Sequence, residues 1–119
     1  MHGLPITLKD TIDTKDLPNT YGSRLYDNYQ STEDGTCVKR LKQAGAIVLG
    51  LTNVPELLSA YESDNLIYGK TNNPYDGTLS AGGSSGGESA IIAGQWLACS
   101  GGSFFKVFTR IAHRYSNRI

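Results

Sequence analysis

Gly82-Gly83-Ser84-Ser85-Gly86-Gly87-Glu88 places two hydroxyls and a carboxyl on a backbone freed by four glycines, immediately ahead of Ser89-Ala90-Ile91-Ile92-Ala93, which reads as a helix. The segment therefore lies at a helix amino terminus, where unpaired N–H groups and the helix dipole favour negative charge. Three kinds of chemistry use such a loop. Phosphate cradling needs Lys followed by Ser or Thr after the last glycine. Here Gly87 is followed by Glu88-Ser89, an acidic step that repels phosphate, and the dinucleotide pattern GxGxxG is absent. A nucleophile elbow is satisfied in its letters, since Gly82 to Gly86 fits GxSxG, but an elbow needs a strand before the serine and an Asp and a His after it. Thr78-Leu79-Ser80-Ala81 makes a poor strand, no Asp follows Asp76, and His113, the only downstream histidine, reads as a surface residue of a basic end.

The third use is a serine held by glycines so that it relays a proton between a lysine and an attacking hydroxyl. A lysine at its ordinary pKa of about 10.4 is almost wholly protonated at neutral pH, so it serves as a base only where desolvation lowers that value. The other polar candidates read as structural. Asp10, Asp76 and Glu88 are turn and helix-dipole partners, because the sequence sets no second carboxylate beside any of them. Ser85 is placed to cap the following helix. Cys37 and Cys99 show neither CxxC spacing nor a Cys/His cluster and read as ordinary buried thiols, so neither a disulfide framework nor a zinc site is indicated.

The elements that must carry these residues can be read from periodicity. Leu4-Pro5-Ile6-Thr7-Leu8 alternates apolar and polar residues and predicts a short strand ending at Lys9-Asp10. Residues 13–32 are polar and turn-rich, which predicts loop. Ser31 or Thr32 then caps a helix in which Cys37, Val38, Leu41 and Ala44 repeat at helical spacing, with Gly45 as its stop. Ala46 to Leu51 is a continuous apolar run, expected as a strand buried on both faces. Thr52-Asn53-Val54-Pro55-Glu56 predicts a helix start continued by Leu57, Leu58 and Tyr61. Residues 68–77 are dense in turn formers. Strand, connection, helix and strand together predict a βαβ unit and an α/β fold with a partly parallel sheet.

Composition narrows the partners. The 119 residues suit one compact domain, and eleven basic residues balance eleven acidic ones, so no nucleic acid or polyanionic partner is indicated. No apolar run reaches the length of a membrane span, and the opening residues lack a signal-peptide pattern, which predicts a soluble, intracellular chain; an anchor would have to lie in regions outside it.

Four segments in one order closely resemble the amidase signature family: Gly3-Leu4-Pro5-Ile6-Thr7-Leu8-Lys9-Asp10, Gly45 to Asn53, Asn72-Asn73-Pro74-Tyr75-Asp76, and Gly82 to Gly87. Within it, Tyr61-Glu62-Ser63, Ile67-Tyr68-Gly69-Lys70 and Glu88 are most similar to the fatty-acid amide hydrolases. The resemblance implies an α/β fold, here a part of the amidase-signature fold in which a mixed β-sheet is flanked by helices, with residues 1–94 as its amino-proximal portion. It also implies a cofactor-free amide hydrolase in which Lys9 matches the strand-end lysine and Ser84 matches a serine in a cis peptide bond. Ser84 would pass the proton of an attacking hydroxyl to Lys9 and return it to the leaving amine. From position alone Lys9 would be a solvated surface charge and Ser84 a turn or cap residue. The implied partner is a small-molecule amide, with no oligomeric state specified.

One departure matters. The family's nucleophilic serine lies in a segment Asp-x-Gly-Gly-Ser-x-Arg, and this chain has none. Ser103, in Ser100-Gly101-Gly102-Ser103, more closely resembles the small-residue stretch that precedes that segment. Residues 95–119, with Lys106, Arg110, Arg114 and Arg118, read as foreign to the pattern and unstructured. The expectation is a chain that does not turn over amides unaided. Two alternatives stay open: a catalytically inactive remnant, and a glutaminase subunit of the kind that serves tRNA-dependent amidation.

Overall fold

A computed structural model describes residues 2–95. Two strands and two helices make up its regular structure: β1 (Pro5–Lys9), α1 (Thr36–Gln43), β2 (Ile47–Thr52) and α2 (Gly86–Ala93). The strands pair in parallel, with α1 in the crossover between them, so the expected βαβ unit and α/β class are observed. Among the described residues the sheet has these two parallel strands alone.

The two faces of β1 are chemically distinct, as the alternation of a strand requires. Ile6 and Leu8 point to one side and form a core with Val38 and Ala46, joined by Leu4, Ile12, Leu41, Val48 and Leu51. Thr7 and Lys9 point to the other side, toward α2. The pairing is not uniform. Ile6 lies opposite Val48, yet Thr7 lies opposite Gly50, so the register slips by one residue at Leu49. Beyond the slip, Leu51 pairs with Leu8 in the core and Thr52 pairs with Lys9 on the α2 side. Without it Leu51 would stand beside Lys9, since a one-residue change of register exchanges the faces of a strand.

The expected double burial of β2 is not observed. Ile47 and Leu49 are 52% and 57% exposed, because among the described residues β2 has a neighbour on one edge only and α2 packs over β1. Nor do Ser31 or Thr32 cap α1. The helix begins four residues beyond Thr32, at Thr36, with Gly35 as its cap, and Ser31 instead donates to the carbonyl of Glu33. Asp13 O draws the chain into this turn by accepting from Gly35 N. The predicted stop is correct: Gly45 adopts φ +87°, Ala46 N donates to Leu41 O and Gly45 N to Lys42 O. Those paired bonds satisfy the last carbonyls of the helix and deliver Ala46 to the core.

The helix expected after Pro55 is a single 3-10 turn, Glu56–Leu58, in which Leu57 and Leu58 have positive φ. Tertiary bonds override the local preference there. Leu57 N donates to Tyr21 O and Ser23 Oγ donates to Glu56, tying the turn to the loop of residues 20–23. That loop is otherwise as expected, with one 3-10 turn at Arg24–Tyr26. The segment expected to be unstructured, residues 95–119, lies outside the described residues beyond Gln95.

Leu8 is fully buried and Leu49 is not. Leu8→Ala is therefore expected to lower unfolding free energy by about 3 kcal/mol, and Leu49→Ala by less than about 0.5 kcal/mol. Urea unfolding of the two variants checks this; equal losses would contradict the arrangement of faces.

Candidate active site

Lys9 closes β1 and is 3% exposed. Burial comes from α2, which crosses β1 on the face that carries Thr7 and Lys9. The amine donates to Ser84 Oγ at 2.9 Å, across 75 residues of sequence. Desolvation pushes Lys9 below its ordinary value of 10.5, and the Glu88 charge opposes that shift without overcoming it. An amine so placed is easier to deprotonate than a surface lysine.

The loop presenting Ser84 is shaped by two left-handed glycines, Gly82 at φ +75° and Gly83 at φ +73°. An L side chain would be strained at either position. Gly83 N donates to Tyr61 O at 2.6 Å. Ser63 braces the turn from both sides: its hydroxyl donates to Gly83 O at 2.9 Å and accepts from Gly86 N at 2.8 Å. A Cβ on Gly86 would stand 2.8 Å from Ser63 Oγ, and one on Gly87 would stand 2.5 Å from Asn53 N. Glycine is required at 86 and 87 for close approach, whereas at 82 and 83 it is required for the backbone angle. The cis peptide expected before Ser84 is not observed, since no peptide bond among the described residues is cis. The two positive φ angles turn the chain sharply enough to aim Ser84 at Lys9 through a trans bond.

Beyond Lys9 and Ser84, the structure assigns roles that sequence reading missed. Glu88 is fully buried; Thr7 Oγ1 donates to its Oε2 at 3.2 Å and Thr52 Oγ1 to its Oε1 at 2.8 Å. It is more than a partner of the helix dipole. The available signal was a threonine on each of the two strands, where an apolar residue would otherwise be expected. Asn53 ties the strand end to the loop beyond it, donating to Gly69 O and Thr71 Oγ1 and accepting from Asn65.

The remaining predicted residues sort readily. Asp10 accepts from the backbone N–H and the hydroxyl of Thr20, and burial pushes its carboxyl above the usual carboxylate range. Asp76 is a turn partner as expected, held below that range by bonds from the hydroxyl and N–H of Thr78. Ser85 occupies the cap position of α2 but makes no side-chain capping bond; its hydroxyl, like that of Ser89, is buried without a partner among the described residues. Cys37 is half-buried rather than buried. Cys99, Ser103 and His113 lie outside the described residues. Among the described residues no group of three or more His, Cys, Asp or Glu side chains could hold a metal ion, and no helix is long and apolar enough to cross a membrane.

A cleft of about 340 Å³ opens at the carboxyl ends of the two strands, lined by Asp10, Leu17, Pro18, Leu51, Asn53 and Tyr68 among others. Parallel sheets commonly bind ligands at this end, where the loops after the strands converge.

The amidase family profile matches residues 1–103. The chain is 43% identical over 91 residues to the A-type subunit of Glutamyl-tRNA(Gln) amidotransferase of Thermobifida fusca, covering 76% of this chain and 18% of that protein. It is 46% identical over 98 residues to human Fatty-acid amide hydrolase 2, covering 82% of this chain and 18% of that protein. It thus spans about a fifth of the length of these curated relatives. In three dimensions it superposes on the crystal structure of the A-type Glutamyl-tRNA(Gln) amidotransferase subunit from Thermotoga maritima with a TM-score of 0.78 and 33% identity, covering 83% of this chain and 23% of that one.

The lowered proton affinity of Lys9 has a consequence for stability. Between its midpoint in the folded chain and 10.5, the unfolded chain binds the extra proton, so stability should rise with pH across that interval. Wild type is expected to gain on Lys9→Met as pH rises toward 10.5, by up to about 1.4 kcal/mol per pH unit. Unfolding in urea at a series of pH values measures the difference; a gap that does not change with pH would show an unperturbed lysine.

Proposed function

This chain belongs to the amidase family, and from that premise we propose that it supplies the proton-handling pair of an amide hydrolase, Lys9 as base and Ser84 as relay. The observation that carries the reading is the 2.9 Å contact between a buried amine and the hydroxyl of a glycine-held serine. With Lys9 protonated, Nζ donates to Ser84 Oγ. Once the amine is neutral, the same contact reverses and Ser84 donates to Nζ. Ser84 Oγ is then free to take the proton of an attacking hydroxyl while passing its own to Lys9.

Attack forms the bond from the hydroxyl oxygen to the amide carbon, and collapse of the adduct breaks the carbon–nitrogen bond. The proton held on Lys9 returns through Ser84 to the departing amine, and water then hydrolyses the ester. The nucleophilic hydroxyl is not among the described residues, and the 119-residue sequence holds no segment that matches the family's nucleophile. No cofactor enters the scheme.

For the substrate we favour an amide with an apolar acyl group, as in fatty-acid amides. The support is the likeness to Fatty-acid amide hydrolase 2; the cleft at the strand ends, apolar at Leu17, Pro18, Leu51 and Tyr68, is lined by neither Lys9 nor Ser84. A glutaminase reading has equal support from the likeness to the A-type amidotransferase subunits. Hydrolysis of a long-chain fatty amide and release of ammonia from glutamine, assayed side by side with the whole protein, separate the two. Under either reading Lys9→Ala and Ser84→Ala are each expected to reduce kcat/KM by a factor of about 100 to 10,000. Full activity in Lys9→Ala would overturn the mechanism.

A further inference from the structure

Glu88 sits where three elements meet. Thr7 lies two residues before Lys9 on the same face of β1, and Thr52 is the residue paired with Lys9 across the sheet. The Glu88 carboxylate accepts from both hydroxyls, one on each oxygen, so it spans the two strands on the face that carries the lysine, without forming a direct ion pair with it. Glu88 and Ser84 are joined by the first turn of α2, whose backbone is seated against Asn53 at Gly87. Anchoring Glu88 therefore fixes the distance from Ser84 to the sheet.

We infer that Glu88 is a positioning residue: bound to Thr7 and Thr52, it locks the first turn of α2 onto both strand ends and sets a counter-charge beside Lys9, holding the Lys9–Ser84 pair in register. The inference rests on the proton-relay reading given above. The surroundings make the charge specific. Lys9 is the only charged residue of β1, β2 has none, Glu88 is the only charged residue of α2, and the neighbouring Asp10 is turned to Thr20. The charge of Glu88 opposes the loss of the Lys9 proton, so the pair trades basicity of the amine against order at the serine.

The test is titration of Lys9 in the full chain carrying carbon-13 lysine, the Lys9 signal being assigned by its loss in Lys9→Arg. Wild-type Lys9 is expected to titrate below the other lysines, and in Glu88→Gln its midpoint should fall further, by about 1 unit or tenfold in proton affinity. A merely structural role would lower Tm and leave that midpoint in place. Glu88→Asp keeps the charge but draws it back by one methylene; a smaller fall is expected, and this variant decides the matter if Glu88→Gln does not fold. An unchanged Lys9 midpoint in a folded Glu88 variant, with wild-type Lys9 still depressed, overturns the inference and leaves the relay reading intact. Wild-type Lys9 titrating with the other lysines overturns the relay reading and the inference with it.

Discussion

An ammonium group taken out of water costs several kcal/mol unless it is paired or loses its proton. Lys9 lies under that constraint because it ends a strand whose open face is covered by a helix. The surrounding structure answers the cost in two ways at once. Ser84 offers a neutral hydrogen-bond partner, and Glu88 offers an opposite charge held by two hydroxyls. Desolvation remains the larger influence, so the amine is left easier to deprotonate than an ordinary lysine. Such tension is usual where a buried group is to act as a base.

The rest of the described chain holds that balance in place. On one face of β1, Ile6 and Leu8 anchor the strand against Val38 and Ala46, which fixes where the strand ends and hence where the amine lies. On the other face, α2 comes close because Gly86 and Gly87 carry no side chains to hold it away from Ser63 and Asn53. Ser63 completes the frame by bonding both sides of the turn that contains Ser84. Little regular structure is involved. Much of the molecule between β2 and α2 is loop, and its order comes from side-chain amides and hydroxyls, Asn53 and Asn65 above all, which satisfy backbone groups that no ladder reaches.

The one-residue slip in the sheet links the core to the site. A strand distributes its side chains strictly by parity, so a uniform register would give α2 a face of Leu49 and Leu51 opposite Thr7 and Lys9. Leu49 is consumed at the slip, Leu51 joins the core, and Thr52 comes to stand opposite Lys9. A hydroxyl thereby replaces an isobutyl group beside the amine. The exposed Leu49 is the corresponding cost on the outer edge of the sheet.

The amino-acid sequence by itself determined the βαβ unit, the end of α1 at Gly45 and a helix over residues 89–93, which the structure begins three residues earlier at Gly86, because these depend on periodicity and on glycine, which act within a few residues. Matching motifs also pointed to Lys9 and Ser84, whose side chains the fold brings within 2.9 Å. Periodicity could not reveal the slip that sends Leu51 and Thr52 to opposite faces, nor Gly35 as the cap, nor the left-handed turn at Leu57, since each is decided by hydrogen bonds to distant segments. Glu88 shows the difference most plainly. In sequence it is an acid in the first turn of a helix, suited to the dipole, and only the packing of α2 across two strands converts it into a buried carboxylate between two threonines. Local rules describe what a residue prefers while water surrounds it; burial removes the water, and the partners brought by the fold then decide what the residue does.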